Sequence, residues 1–531
     1  MLVLTVLAML CFSFPFLEIS IMEARDFITA REMLEDGNWL LTTMNGEPRY
    51  QKPPLPTWLA AISGLIFGMK SLFAMRLPGI LMVVILSITA YFFSKKLDFS
   101  KQHSLVNALV LTTSFYIVAI VIEAPWDIFT HSFMFLGLYY LFQCFVSSKS
   151  SLKLATIAGL FIGLSILCKG PVSLYVLFLP FIIAFALTIK FENFKSKIFS
   201  ILVTIIVSLI VGGWWYAYVR YSDPETFIEI ANRETGNWSN YNVRPFYYYW
   251  SFFTQSGIWT IPAFISLLYP YLKTRVSNLK VYRFTLLWTL FALLLLSIIP
   301  EKKSRYLMPV LIPLALNIGF YLEYLFRRFK DLKDKRETIP VYFNFGLIAL
   351  IGMLFGIAGY FYLKDVTSID WFVFGRASLV LFFIGLLILS NLKRKRIEHV
   401  FYCTIFFVIA AFALVAPLSK SFISSNYNSI ANLKEEKEDL NIYAFNHVSP
   451  EMIWHFGGKL IPMKPNDSVL NLPSENRFGM LANGISPSDQ EILNDTYIIE
   501  KIDTFDLNLV APDSKKHRGR LLSHFYILSK K

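Results

Sequence analysis

Acidic and basic side chains set beside long apolar runs carry most of the chemical information in this sequence. Directly after the first run comes Met22-Glu23-Ala24-Arg25-Asp26, which holds Glu23 at a helix exit. A carboxylate there takes a proton from a hydroxyl or, with Arg25, merely caps a helix end. Further on, Tyr50-Gln51-Lys52-Pro53-Pro54 sets an ammonium on a rigid turn, because two prolines fix the backbone and forbid helix before residue 54. A preorganised Lys52 suits a phosphate; snorkelling toward lipid head groups is its plainer role. A third element runs from Glu123 through Pro125 and Asp127 to His131. If helical from Pro125, it puts Asp127 and His131 at i, i+4 on one face. Two ligands do not make a zinc site, so His131 reads as a hydrogen-bonded residue of a helix bundle. Two basic groups follow: Arg233 with Glu229 and Glu234, and Pro300-Glu301-Lys302-Lys303-Ser304-Arg305-Tyr306. Carboxylates near fixed cations are the parts needed to activate a hydroxyl and to meet the charge of a phosphate leaving group.

These residues need a scaffold, and the composition names it. Of 531 residues, 55% are hydrophobic and only 16% charged, against about 25% charged in a soluble globular chain. At about 20 apolar residues per crossing, this is a polytopic membrane protein. Disordered, collagen-like and disulfide-scaffold classes are excluded. The four cysteines (Cys11, Cys144, Cys168, Cys403) sit inside apolar runs as small buried hydrophobes and imply no disulfide or structural zinc. Runs read as spans fall near 1–21, 77–94, 103–121, 128–146, 152–168, 172–189, 198–219, 247–272, 284–299, 306–325, 341–361, 374–391 and 399–418, thirteen in all.

Every second break between them is basic: Lys95/Lys96/Lys101, Lys149/Lys153, Lys190/Lys195/Lys197, Lys273/Arg275/Lys280/Arg283, Arg327 to Arg336, and Lys393 to Arg396. The positive-inside rule makes these loops cytoplasmic, with the N-terminus inside and the C-terminus outside. The net charge of +13 thus has a topological origin and no nucleic-acid partner is implied. The first 21 residues lack a basic n-region and a small-x-small cleavage site, and read as an uncleaved span. On the outer side lie residues 22–76, with short interfacial helices expected at 30–34 and 58–67, and residues 220–246. The basic cluster at 300–306 breaks the charge rule and so needs another purpose. The expected division is a catalytic membrane domain over 1–426 and an external α/β domain over 427–531, with strands at 441–445, 497–502 and 521–528 and a helix at 450–456. No internal repeat is visible, which weakens an inverted-repeat transporter.

The same residues carry a resemblance. Glu23-x-Arg25, Ala30-Arg31-Glu32-Met33, Gly37-x-Trp39, Asn45-Gly46, Lys52-Pro53-Pro54-Leu55 and Trp58 resemble the first external loop of the ArnT/protein-O-mannosyltransferase group of GT-C glycosyltransferases. So do Lys169-Gly170-Pro171, Trp214-Trp215-Tyr216, Pro245-Phe246-Tyr247-Tyr248 and Lys303-x-Arg305-Tyr306-x-x-Pro309 with Pro313, so that the likeness runs in order over residues 1–320. It implies an all-α GT-C membrane enzyme in the inner membrane that moves one sugar from a polyprenyl-phosphate donor to a lipid A, glycan or protein acceptor of the cell envelope. The family signature Asp-Glu-x-Arg-Tyr reads here Met22-Glu23-Ala24-Arg25-Asp26, so the essential acid is either Glu23 or Asp127, which matches the family's second-loop Asp. Lys52, Arg233 and Arg305, with Lys303 and Tyr306, are the expected phosphate ligands; Arg25, Tyr50 and Glu123 are expected to support them. Gln51 and Ile228 stand where relatives are expected to carry Glu and His as metal ligands, so no metal or other cofactor is expected to be required, a divalent metal staying open.

No Gly-rich phosphate loop follows any strand signal, which agrees with a lipid-linked rather than a nucleotide donor. The rival class is a transporter or flippase of lipid-linked glycans. It predicts ionisable residues deep in several spans and broken helices in matching halves, whereas the acids here crowd the outer ends. A sensor anchored by its spans would not need thirteen of them.

Overall fold

The computed structural model describes residues 1–147, 151–189, 194–364, 366, 368–464 and 470–531; Lys149 and Lys190 of the basic loops lie outside the described residues. Among the described residues nine helices are long and apolar enough to cross a membrane, or up to eleven if two bent helix pairs each make one span. The expected thirteen continuous spans are not reached, for reasons visible in the sequence. The run 247–272 is cut by Gly257 (φ +67), where an added Cβ would lie 2.8 Å from the Phe115 side chain, and again at Leu267-Leu268, just before Pro270 opens the turn Tyr269–Leu272. It folds as the 3-10 turns Phe246–Tyr249 and Phe252–Trp259 and the helix Thr260–Ser266. The run 1–21 holds the helix Leu2–Leu10 and a 3-10 turn at Phe14–Phe16 around Pro15. The Arg76 guanidinium donates to two carbonyls there, 2.5 Å from Phe14 O, which also accepts Leu17 N, and 2.7 Å from Leu17 O. The run 103–121 bends by 43° between Lys101–Thr113 and Phe115–Glu123, and Leu174–Thr188 is short for a span. Conversely Leu55–Phe67 begins its helix directly after Pro53-Pro54, where the prolines allow it.

The chain divides into two units. The first comprises Met1–Leu17, Tyr50–Leu59 and Arg76–Leu418. Its core is aromatic: Phe93, Phe135, Phe181 and Trp288 pack with ring centroids 5.1–6.5 Å apart. The π-turn Leu174–Phe178 accompanies this packing, and the carbonyl of Leu177 accepts the Trp288 indole N–H at 3.1 Å. Helices Leu152–Lys169 and Phe194–Ser222 approach closely through small residues, as membrane helices do: a Cβ on Gly212 would meet the Gly163 carbonyl at 2.8 Å.

The second unit comprises Glu18–Arg49, Ala60–Met75 and Ser419–Lys531. Strands β1 (Thr43–Met44) and β2 (Glu47–Pro48) form a hairpin on Asn45-Gly46, both at positive φ (58° and 81°), as a two-residue type I′ turn requires. The Glu32 carboxylate holds that turn, accepting from Thr43 Oγ1 (2.6 Å), Asn45 N (2.6 Å) and Gly46 N (3.2 Å). β3 (Ile442–Ala444), β4 (Ile461–Pro462), β5 (Arg477–Ala482), β6 (Tyr497–Asp506) and β7 (Leu522–Lys530) make a mixed sheet in the order β4-β3-β5-β7-β6. Phe445, Phe478, Met480 and Leu528 are its core. The expected strands and the helix Pro450–Phe456 are present, whereas β5, the central strand, and the helix Pro487–Thr496 were not foreseen. Arg31 caps the C-terminal end of Pro450–Phe456, donating to Gly458 O at 2.9 Å beside Gly457 in the left-handed conformation. The expected short helix at 30–34 is part of the longer helix Ile21–Glu35.

Candidate active site

Pro125 at the first helical position starts Pro125–Val146, so Asp127 falls in its first turn and is buried. Lys169 is the last residue of Leu152–Lys169, which ends because Gly170 turns to φ +73; a Cβ there would sit 2.8 Å from the Tyr216 hydroxyl. These two ends meet: Lys169 Nζ donates to Asp127 Oδ1. The other oxygen, Oδ2, is buried with no hydrogen-bond partner, and so is His131 Nδ1 one turn along. His131 is buried, as expected of a bundle residue, but the hydrogen bond expected of it is missing for Nδ1. Leaving a buried carboxylate oxygen unmet is costly, which marks a place where something else binds.

Tyr306 joins this pair to the 300–306 segment. The Lys169 ammonium lies 5.4 Å from its ring centroid, and its hydroxyl donates to Glu301 Oε1 at 2.9 Å. Lys303 Nζ donates to the same oxygen at 2.5 Å, and sits 4.7 Å over the Tyr241 ring. Backbone pairing fixes the segment: Val243 and Glu301 form an antiparallel bridge, and the Tyr249 hydroxyl is 3.1 Å from both the N–H and the C=O of Lys303. The three cations of the segment then differ in kind. Lys302 is buried on the carbonyls of Ile299 (2.5 Å) and Arg244 (3.1 Å), and burial pushes its ammonium below the usual lysine range. Lys303 is held by Glu301. Arg305 faces the Tyr306 ring at 5.9 Å and acts electrostatically on Asp127 and Tyr116, yet makes no ion pair among the described residues. Glu123 accepts the Tyr116 hydroxyl at 2.5 Å just before Asp127.

Lys52 and Tyr50 dock on the helix Pro224–Asn240. The Tyr50 hydroxyl donates to Asp223 Oδ2 at 2.9 Å; burial first, and this carboxylate second, push its phenol up to about 12. Lys52 Nζ lies 3.6 Å from Glu234, with both side chains partly exposed. Such a pair is worth at most about 1 kcal/mol, so a phosphate can take the ammonium over at little cost. Arg233 is exposed on the same helix. From Glu234 to Tyr241, which lies under Lys303, the helix advances roughly 10 Å.

Glu23 and Arg25 belong to the second unit. Glu23 closes a capping box with Ser20, its Oε2 accepting Ser20 N at 3.0 Å and its N–H donating to Ser20 Oγ at 3.2 Å. Arg25 is half-buried and its carbonyl accepts a bond from Arg49. Burial, chiefly, brings the Arg49 guanidinium down to about 10. Glu301 and Tyr241 were not singled out by sequence, and Lys169 only within a motif. A lysine ending an apolar run before Gly-Pro was the available signal, since a charge at membrane depth seeks a partner. Ile228 and Gln51 stand where relatives are expected to place metal ligands, and among the described residues no three His, Cys, Asp or Glu side chains converge as a metal site would require.

Residues 51–216 match the family described as dolichyl-phosphate-mannose-protein mannosyltransferase. An uncharacterised protein of Aquifex aeolicus is 30% identical over 304 residues, 55% of this chain and 57% of that one. The undecaprenyl phosphate-alpha-4-amino-4-deoxy-L-arabinose arabinosyl transferase 1 of Pseudomonas fluorescens is 26% identical over 388 residues, 70% of this chain and 66% of that one. Both matches thus cover less than two thirds of the relative. The crystal structure of ArnT from Cupriavidus metallidurans bound to undecaprenyl phosphate superimposes with a TM-score of 0.65 at 14% identity, covering 99% of this chain and 96% of that one. The chain is therefore a multi-pass membrane protein with the fold of ArnT, and its sequence is similar to that of the Pseudomonas fluorescens arabinosyl transferase.

Proposed function

We propose that this protein transfers a single sugar from a polyprenyl-phosphate donor to a lipid, glycan or protein acceptor of the envelope, by direct inverting displacement. The observation that carries this reading is the cluster at the Ser304 end of the spans: among the described residues, a buried carboxylate with one oxygen unmet, in the field of an arginine without an ion pair, in the fold of ArnT. The relative from Cupriavidus metallidurans holds undecaprenyl phosphate, and the relative from Pseudomonas fluorescens is named an arabinosyl transferase.

In this reading the acceptor oxygen bonds to the anomeric carbon as the bond from that carbon to the phosphate oxygen breaks. The acceptor proton goes to Asp127 and the electron pair leaves with polyprenyl phosphate. Lys169 keeps Asp127 ionised until then, and Arg305 and Lys52, with Arg233, Lys303 and Tyr306, meet the charge growing on the leaving phosphate. Asp127 is preferred to Glu23 because the Glu23 carboxylate already closes a helix cap. Residues 1–426 serve as the catalytic membrane domain and 427–531 as an external domain in the inner membrane, with residues 22–76, 220–246 and 427–531 outside and Arg327 to Arg336 inside. Single cysteines placed at Asn45 and Lys333 should label from opposite sides; equal external labelling of both would sink this topology.

The decisive assay uses purified protein in detergent with a polyprenyl-phosphate sugar and a crude envelope acceptor, reading the release of free polyprenyl phosphate. Detergent abolishes compartments, so a flippase has nothing to do there. Bound donor with no sugar release under any acceptor overturns the transferase reading. Release should persist after chelation, since the positions expected to ligate a metal do not carry ligands.

A further inference from the structure

At the far end of the Ser304–Arg328 span lies a cleft of about 490 Å³ that the transfer reaction does not use. Tyr306 and Tyr321, which line the two places, are separated by roughly 22 Å of helix. One wall is apolar: Ile261, Phe264, Ile265, Leu268 and Pro340. Phe264 and Leu268 are 48% and 39% exposed, so this wall is continuous with a surface that lies against hydrocarbon in a membrane protein. The opposite wall is polar: Tyr271, Arg275, Asp334, Arg336 and Glu337.

The charges on the polar wall do not all cancel internally. Glu337 is saturated, accepting Tyr271 OH at 2.8 Å, Tyr324 OH at 2.7 Å and Arg275 Nη2 at 3.1 Å. Arg275 spends Nη1 on the Tyr271 carbonyl at 2.8 Å. Its Nε is buried and has no hydrogen-bond partner among the described residues. With the Arg275–Glu337 pair closed, one cation and one anion are left over: the exposed Arg336 guanidinium and the exposed Asp334 carboxylate, two residues apart. Asp334 Oδ1 caps the helix Lys335–Leu363 by accepting Arg336 N at 2.8 Å and still carries its full charge.

A site that offers one surplus cation, one surplus anion and an apolar wall open to lipid is complementary to a zwitterionic amphiphile. We propose that this cleft binds the head group of a membrane phospholipid carrying both a phosphodiester and a primary ammonium, of the phosphatidylethanolamine class. The phosphate sits on Arg336, the ammonium on Asp334, and the chains along Phe264 and Leu268. A purely anionic lipid would leave Asp334 facing a negative head group, and like charges in contact are disfavoured. The volume is within the range of sites that enclose a small ligand.

The test uses the full-length protein, delipidated in detergent and titrated with equimolar phosphatidylethanolamine and phosphatidylglycerol, with retained lipid read by native mass spectrometry. The parent should retain phosphatidylethanolamine over phosphatidylglycerol by about tenfold or more, the size of one charge-assisted contact. Asp334→Asn, which keeps the helix cap while removing the charge, should bring that ratio below about twofold, whereas Arg336→Gln should lower retention of both lipids by about tenfold, because both carry the phosphodiester. Lys333→Gln, a neighbouring charge outside the cleft, should leave the ratio at the parent value. Equal retention of the two lipids by the parent, an unchanged ratio in Asp334→Asn, or unchanged retention of both lipids in Arg336→Gln overturns the proposal. Displacement of the retained lipid by millimolar soluble phosphoethanolamine overturns the assignment of the apolar wall to lipid chains.

Discussion

Two clusters of acid, base and tyrosine occupy opposite ends of the same span, Ser304–Arg328, and they are balanced differently. At the Arg328 end, Glu337 accepts three donors and its partner Arg275 is bound to it. At the Ser304 end, Asp127 has one oxygen met by Lys169 and the other unmet, Glu301 takes both Lys303 and Tyr306, and Arg305 has no ion pair among the described residues. Both clusters contain the same residue types. The difference lies in the accounting of donors and acceptors: a saturated carboxylate is a fastener between helices, whereas an unsaturated one beside an uncommitted cation has room for a substrate.

The largest test of that contrast is Asp127→Asn against Glu337→Gln. Asp127→Asn should lower sugar transfer by about 10²-fold or more while the protein still assembles, since a general base contributes about that much. Glu23→Gln should stay near the parent rate, because glutamine also serves in a capping box. Single-turnover transfer with each variant decides between the two carboxylates. If Glu23→Gln is inactive and Asp127→Asn is not, the acid lies in the second unit and the contrast drawn here fails.

How far the sequence foretold this depends on the kind of signal. Local rules worked where one residue dictates the backbone: Pro53-Pro54 before the helix at Leu55, Pro125 at the start of its helix, Asn45-Gly46 in a positive-φ turn. Hydropathy found the membrane class but not where its runs break, since an apolar run interrupted at Gly257 and at Leu267-Leu268 is as oily as an intact helix and only the backbone conformation tells them apart. The central strand β5 was missed because Arg-Phe-Gly-Met-Leu-Ala is almost wholly buried and shows no alternation. At the candidate site, Asp127, Lys303, Arg305 and Tyr306 were legible as costly charges and motif residues. Their sorting into engaged and unengaged groups was not, because Glu301, Lys169 and Tyr241 reach them only through the folded packing.

Next in size is the split among the three cations of the 300–306 segment. Arg305→Met should weaken binding of polyprenyl phosphate by about 10- to 150-fold, one charge-assisted contact at a partly dry site. Lys302→Met should leave that affinity within about threefold of the parent and lower the unfolding temperature instead, because Lys302 serves the carbonyls of Ile299 and Arg244. Equal losses of affinity in both would erase the distinction between engaged and unengaged cations.

Glu337→Gln sharpens the other side of the comparison. It removes the charge that holds Arg275 and two tyrosines, and should cost about 1.5–3 kcal/mol of stability. Transfer measured below the unfolding temperature should stay within about threefold of the parent. A loss of transfer as large as that of Asp127→Asn, with the protein folded, would show that saturation does not separate a structural cluster from a working one.

The smallest effect is expected at Tyr50, which lies at the edge of the candidate site and bonds the partly exposed Asp223. Tyr50→Phe should cost about 1 kcal/mol, the modest value of one hydrogen bond with solvent nearby. Its pH dependence gives a second reading. The Tyr50 phenol is pushed up to about 12 in the folded protein, by burial first and by Asp223 second, against about 10 for a free tyrosine. Between these values the folded state holds a proton that the unfolded state has lost. The stabilisation is therefore complete below about pH 10 and declines as the pH rises toward 12. The difference in unfolding temperature between parent and Tyr50→Phe should accordingly be constant from neutral pH to about 9.5 and shrink above it. A difference that holds steady through pH 11 would mean that the phenol is not tied to Asp223, and the turn bearing Lys52 would lose the anchor proposed for it.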